Sequence, residues 1–139
     1  MKKVRDLMTS PVTRIQHDMP LVKVVDLMEQ KMITGAPVVD PDGKVIGVVS
    51  RSDVAVHWAR IEETPRKNRD NLARHVAADI MTPFVFQVGP DDPVTKLVDV
   101  MLGGHIHRVV VCDGNGEPVG IVTSMDIVRD YKELAEQVG

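Results

Sequence analysis

The chain has 139 residues, 43% of them apolar and 27% charged, with a formal net charge of -3. That size and composition suit one compact domain or two small units sharing a core, and they exclude disorder as the overall state. The charge balance leaves no footprint for general nucleic-acid binding, although a local basic patch stays open. Cys112 is the sole cysteine, so an internal disulfide and a four-cysteine zinc site within one chain are excluded. The opening MKKVRDLMTS lacks the apolar run of a signal peptide and no stretch approaches a transmembrane span; a cytoplasmic location without membrane contact is expected.

In chain order, SPVTRI (10–15) is short and β-prone, and HDMP (17–20) suits a helix N-terminus. Leu21, Val24, Val25, Met28 and Met32 then recur at helical spacing and predict one apolar face. APVVD reads as a buried strand, PDGK as a turn and VIGVVS as a returning strand, with a second helix starting near Asp53. Arg60 to Arg74 carries five basic and three acidic residues with Pro65 as a break, and reads as a solvated linker with helical parts. The same signals follow again: PFVFQV, PDDP, a helical stripe of Val94, Leu97, Val98 and Met101, the strand RVVVCD, the turn DGNGEP, the strand VGIVTS and a helix near Asp126.

This recurrence is an internal duplication. Shifting the sequence by 73 residues aligns Asp6–Val54 with Asp79–Ile127 without a gap, and 17 of the 49 pairs are identical. Chance would give about three, at roughly 6% identity per random pair. The division expected is a first repeat over residues 1–60, a charged linker over 61–73 and a second repeat over 74–139. Each repeat predicts β-α-β-β-α, an α/β fold with a three-stranded sheet flanked by helices. Such a sheet buries too little area alone, so the two copies should pack with pseudo-twofold symmetry.

Each copy also contains one phrase, GVVSRSD (47–53) and GIVTSMD (120–126). A hydroxyl three residues before an acid, where a strand passes into a helix, matches a capping box. That reading leaves the glycine and the two branched residues ahead of the hydroxyl unexplained.

The Met8-Thr9 and Met81-Thr82 pairs, the PVVD and VVVCD strands and the two phrases in order resemble paired CBS domains, the cystathionine β-synthase-type regulatory repeat, from Val4 to Tyr131. The resemblance implies a Bateman module with two clefts that bind adenosine-containing ligands such as AMP, ADP, ATP or S-adenosylmethionine, with no further cofactor. In one cleft Asp126 would take the ribose, Thr123 the phosphate or ribose edge and Arg108 a phosphate. Thr9, Thr13 and the Thr34-Gly35-Ala36 backbone would frame the adenine. The other cleft would use Asp53, Ser50 and Ser52, with Thr82, Phe86 and the His107 backbone on the adenine side. Gly35 stands where the first cleft has Arg108, so the two sites should differ.

His105 and His107 share one side of an extended segment but lack a third ligand nearby in sequence, so no metal site is expected. Asp91 and Asp92 lie at a helix start, Cys112 in a buried strand, and no serine stands in a nucleophile elbow, which argues against an enzyme. The expected function is a regulatory module that forms a homodimer and changes its association with an effector protein when nucleotide binds. The alternative is a ligand-free structural dimerisation module.

Overall fold

A computed structural model describes residues 1–70, 74–83 and 86–138. In chain order its elements are α1 (Val4–Leu7), β1 (Ile15–Gln16), α2 (Leu21–Lys31), β2 (Gly35–Val39), β3 (Val45–Ser50), α3 (Arg51–Glu63), a 3-10 turn (Arg66–Asn68), α4 (Ala77–Ile80), β4 (Thr82–Pro83), α5 (Val94–Gly104), β5 (Arg108–Cys112), β6 (Pro118–Thr123) and α6 (Ser124–Val138). They fall into two compact units. One is Thr13–Val85; the other joins Met1–Val12 to Phe86–Gly139. Compact units and sequence repeats are therefore different partitions of the chain, because the first twelve residues belong with the second repeat.

In the first-repeat unit the strand order is β1-β2-β3-β4, with β1 parallel to β2 and the other neighbours antiparallel. Three of these strands come from the first repeat, as its branched runs predict. The fourth, Thr82–Pro83, belongs to the second repeat and pairs with Gly47 and Val48 on β3. Leu21, Val24 and Met28 form one stripe on α2 and pack with Ile15, Ala36, Val38, Val49 and Ala77 into a single core. Fully burying aliphatic side chains of this size contributes roughly 1.5–3 kcal/mol each. Met32 does not join the stripe. It is the left-handed C-cap of α2, with φ 55°, and is 90% exposed, because the helix ends one residue before the apolar period does.

The second-repeat unit repeats this plan 73 residues later. Strands β5 and β6 are antiparallel, Val88 bridges Val111 in parallel, and Thr9 bridges Ile121. Val4, Val88, Leu97, Met101, Val109, Val111 and Val122 make its core. Of the PFVFQV strand expected at 83–88, Pro83 ends β4 and Val88 forms a bridge; Phe84 and Val85 lie outside the described residues. Of the expected linker, residues 61–63 continue α3, Arg66–Asn68 form the 3-10 turn, and 71–73 lie outside the described residues.

Each unit is thus completed by the leading arm of the other repeat. Ala77 and Ala78 donate their amides to the carbonyls of Met19 and His17, at 2.9 Å each. Val4 and Arg5 do the same to Asp92 and Pro90, also at 2.9 Å. The crossing accounts for the glycine that opens each repeated phrase. A Cβ on Gly47 would stand 2.5 Å from Met81 Sδ and 2.8 Å from the Thr82 carbonyl oxygen; on Gly120 it would stand 2.5 Å from Met8 Sδ. Only glycine lets the Met-Thr arm lie this close across the strand. A further contact that sequence pattern does not show is the stack of buried His57 on His75, with ring centroids 5.2 Å apart.

Candidate functional site

The strand-to-helix junction of each repeat is a complete capping box. Ser50 N–H and Oγ–H donate to Asp53 Oδ2 at 2.8 and 3.0 Å, and Asp53 N–H donates back to Ser50 Oγ at 3.4 Å. Thr123 and Asp126 repeat these bonds at 2.7, 3.1 and 3.4 Å. The capping function of the repeated hydroxyl and acid is thereby realised. It fixes both carboxylates at the first turn of a helix, where free backbone N–H groups favour negative charge. In each box Oδ2 is bound twice by its own cap, and Oδ1 points elsewhere.

The partner of Oδ1 differs between the junctions. On Asp53 it accepts from Thr82 Oγ1 at 3.3 Å. On Asp126 it accepts from Arg129 at 3.0 Å. Sequence reasoning passed over Arg129, although its i,i+3 spacing from Asp126 was visible. The matching residue in the first repeat is Val56.

Around Asp126, one unit brings together Thr9, Arg108 and Thr123. Arg108 is the cross-strand partner of Thr123, and Thr9 lies beside Ile121 on the far side of β6. Thr13, Thr34, Gly35 and Ala36 belong to the other unit: Thr13 is half-buried, Ala36 is buried on β2, and the Thr34 carbonyl accepts the Arg51 amide at 2.9 Å. Around Asp53, the first-repeat unit assembles Ser50, exposed Ser52 and Thr82. Phe86 and His107 lie in the second-repeat unit, where Phe86 packs on the Cα of Gly104 and the His107 carbonyl accepts the Ser124 amide at 2.9 Å.

Each unit also has an apolar groove between its two long helices. Val25, Met28, Met32, Ile33 and Val54 line the first, and Val98, Met101, Leu102, Ile106 and Ile127 the second. Thr34 and His107 edge these grooves at matching positions. Among the described residues no three His, Cys, Asp or Glu side chains converge as metal ligands. Burial, then the charge of Asp113, pushes the Cys112 thiol up to about 11, so it is protonated at neutral pH and a poor nucleophile. No helix among the described residues is long and apolar enough to cross a membrane.

Comparison with known proteins agrees with this architecture. The CBS domain family model matches twice, over residues 4–59 and 76–133. An uncharacterised protein of Methanocaldococcus jannaschii is 28% identical, the match covering 91% of this chain and 89% of that protein. A homoserine O-acetyltransferase of Methanohalobium evestigatum is 30% identical over 94% of this chain, which spans 24% of the enzyme's length. Among solved structures, a CBS domain pair in complex with 5'-methylthioadenosine and S-adenosyl-L-methionine superposes with a TM-score of 0.79 at 27% identity, covering 96% of this chain and 98% of the other. Two matched repeats, each with its strands, flanking helices and capped aspartate, place the chain in the CBS-domain family as a tandem pair, a Bateman module.

Proposed function

We propose that the chain is a regulatory module that binds an adenosine-containing ligand at the two capped aspartates and acts on a partner protein without turning the ligand over. The observation that carries this reading is the repetition of one carboxylate geometry 73 residues apart, with Oδ1 of Asp53 and of Asp126 directed away from its cap. A carboxylate so held can accept a ribose hydroxyl, and neighbouring helix N-terminal N–H groups suit a phosphate. The CBS pair crystallised with 5'-methylthioadenosine and S-adenosyl-L-methionine supports adenosine as the shared part of the ligand. In this reading the repeats span 1–60 and 74–139 about the 61–73 linker. The candidate ligand contacts are Asp126, Thr123, Arg108, Thr9, Phe86 and His107 in the second-repeat unit, and Asp53, Ser50, Ser52, Thr82, Thr13, Thr34, Gly35 and Ala36 in the first-repeat unit. The buried free thiol of Cys112 suits the reducing cytoplasm that the reading assumes.

A panel of adenosine, AMP, ADP, ATP and S-adenosylmethionine in thermal-shift assays tests it. A ligand at 100 times its Kd adds about 2.7 kcal/mol to stability. Calorimetry then assigns the roles. Asp126→Ala removes the tighter site, Arg108→Ala weakens AMP and ATP roughly ten- to a hundredfold while sparing adenosine, and Asp53→Ala affects only the weaker site. If none of the compounds shifts the melting point, the structural dimerisation module becomes the better reading.

The apolar grooves support a homodimer as part of the same proposal. Val22, Trp58, Leu102 and Val128 stand more than half exposed on the helices that flank them, and a second copy would cover such surface. Sedimentation should show a dimer at micromolar concentration; a monomer overturns this part.

A further inference from the structure

We propose that Arg129 is a latch on the Asp126 carboxylate, holding the oxygen that a ribose must reach and giving way when the ribose binds. The proposal rests on the reading of Asp126 as the ribose acceptor.

An ionised carboxylate offers about four lone-pair positions. On Asp126 the cap takes two at Oδ2, through Thr123 N–H and Oγ–H, and Arg129 takes one at Oδ1. Among the described residues, one position remains. A ribose cis-diol brings two O–H donors, so its full recognition requires one existing bond to be exchanged. The cap is half-buried and holds the helix start, whereas the Arg129 side chain is 67% exposed and its guanidinium can move into solvent. An exposed ion pair is the cheaper of the two to break.

Among the described residues the first repeat has no such device: Oδ1 of Asp53 meets the Thr82 hydroxyl alone, at 3.3 Å, which is long for an O–H···O bond, and Val56 stands in the place of Arg129. The latch therefore distinguishes the second site from the first. It also makes that site's affinity for an uncharged nucleoside rise with salt, because salt screens the Arg129–Asp126 pair and leaves the nucleoside unaffected.

The test is calorimetric titration with adenosine, which carries no charge of its own, in an Asp53→Ala background that isolates the Asp126 site; should that background fail to fold, a two-site fit on the unaltered protein replaces it. Arg129→Met keeps the aliphatic stem and removes the charge. It should tighten adenosine binding up to about fivefold at low salt and abolish the salt dependence. Arg129→Lys restores a cation and should return both toward the starting values. Adenosine binding that is lost in Asp126→Asn but unchanged or weakened in Arg129→Met overturns the latch and leaves the ribose reading standing. Absence of adenosine binding, or binding indifferent to Asp126→Asn, overturns the ribose reading and the latch with it.

Discussion

At the β3–α3 junction Asp53 has a threonine hydroxyl on its outer oxygen, and its capping serine faces Gly35 across the sheet; at the β6–α6 junction the same two places hold Arg129 and Arg108. Three features beneath are shared. Both junctions have the capping box, both strands have the glycine under a crossing methionine, and both turns have a positive-φ glycine, Gly43 and Gly116. The features held in common are those that packing and backbone geometry require. The differences named are cations, one on the carboxylate itself and one across the sheet from its capping hydroxyl. The shared frame is thus written in the repeated phrase, and the difference between the junctions in residues outside it, Arg108 and Arg129.

The severest way to break the equivalence of the two units is to remove residues 1–12. Only the second-repeat unit contains them, and Val4, fully buried in its core, goes with them. Amide exchange should rise across 86–138 far more than across 13–70. Equal exposure of both would show that the arms are not private to their units.

A milder probe sets Gly47→Ala against Gly120→Ala. The new methyl at 47 meets the Thr82 carbonyl oxygen as well as a methionine, and a backbone oxygen cannot swing aside; at 120 its nearest neighbours all belong to the Met8 side chain. Overpacking of this kind costs about 1–3 kcal/mol, so urea unfolding should show both variants destabilised, with Gly47→Ala the worse. The reverse order would mean that β4 yields more readily than Met8.

Acid separates the units further. The Gly89 amide at 2.7 Å, and then Lys96, hold the Asp92 carboxyl below its usual range, and the matching residue in the first repeat is Met19. A group lowered on folding contributes its stability above the unfolded carboxylate value, near 3.9, and loses it as pH falls through the native one. Melting temperature should therefore fall more steeply below about pH 4 in the unaltered protein than in Asp92→Asn, in which that slope flattens. Parallel profiles would remove Asp92 from the account.

The smallest effect is expected from Cys112→Val, which installs the residue found at the equivalent Val39. Both positions are buried on their strands, so stability should change by less than about 1.5 kcal/mol. In the unaltered protein, alkylation by iodoacetamide at pH 8 should be slow and should accelerate on addition of urea, reporting the opening of the second-repeat unit alone. Rapid labelling under native conditions would contradict the buried, protonated thiol.

Much of this was legible in the sequence. Branched runs placed β2, β3, β5 and β6, and the hydroxyl-to-acid spacing placed both caps, because strand burial and capping are decided within a few residues. Met32 was misread because hydrophobic period alone cannot mark where a helix stops. The role of Gly120 could not be read locally, since the atom it must avoid belongs to Met8, more than a hundred residues away. The expected site residues divide in the same way. Arg108 reaches Thr123 through β5–β6 pairing and Thr123 reaches Asp126 through the cap, both of which the local pattern implies, whereas the Thr82–Asp53 bond depends on the crossing of the arm.

That crossing bears on how the protein is made. A ribosome delivers the first-repeat unit as one unbroken stretch, able to close once residue 85 has emerged. The second-repeat unit must join residues 1–12 to a strand ending at Thr123. At translation rates of about 5–20 residues per second, roughly 5–20 s pass between the appearance of the arm and that of its sheet. Through that interval Val4, Leu7 and Met8 wait on the nascent chain without their core, apolar side chains of the kind that aggregate unless covered.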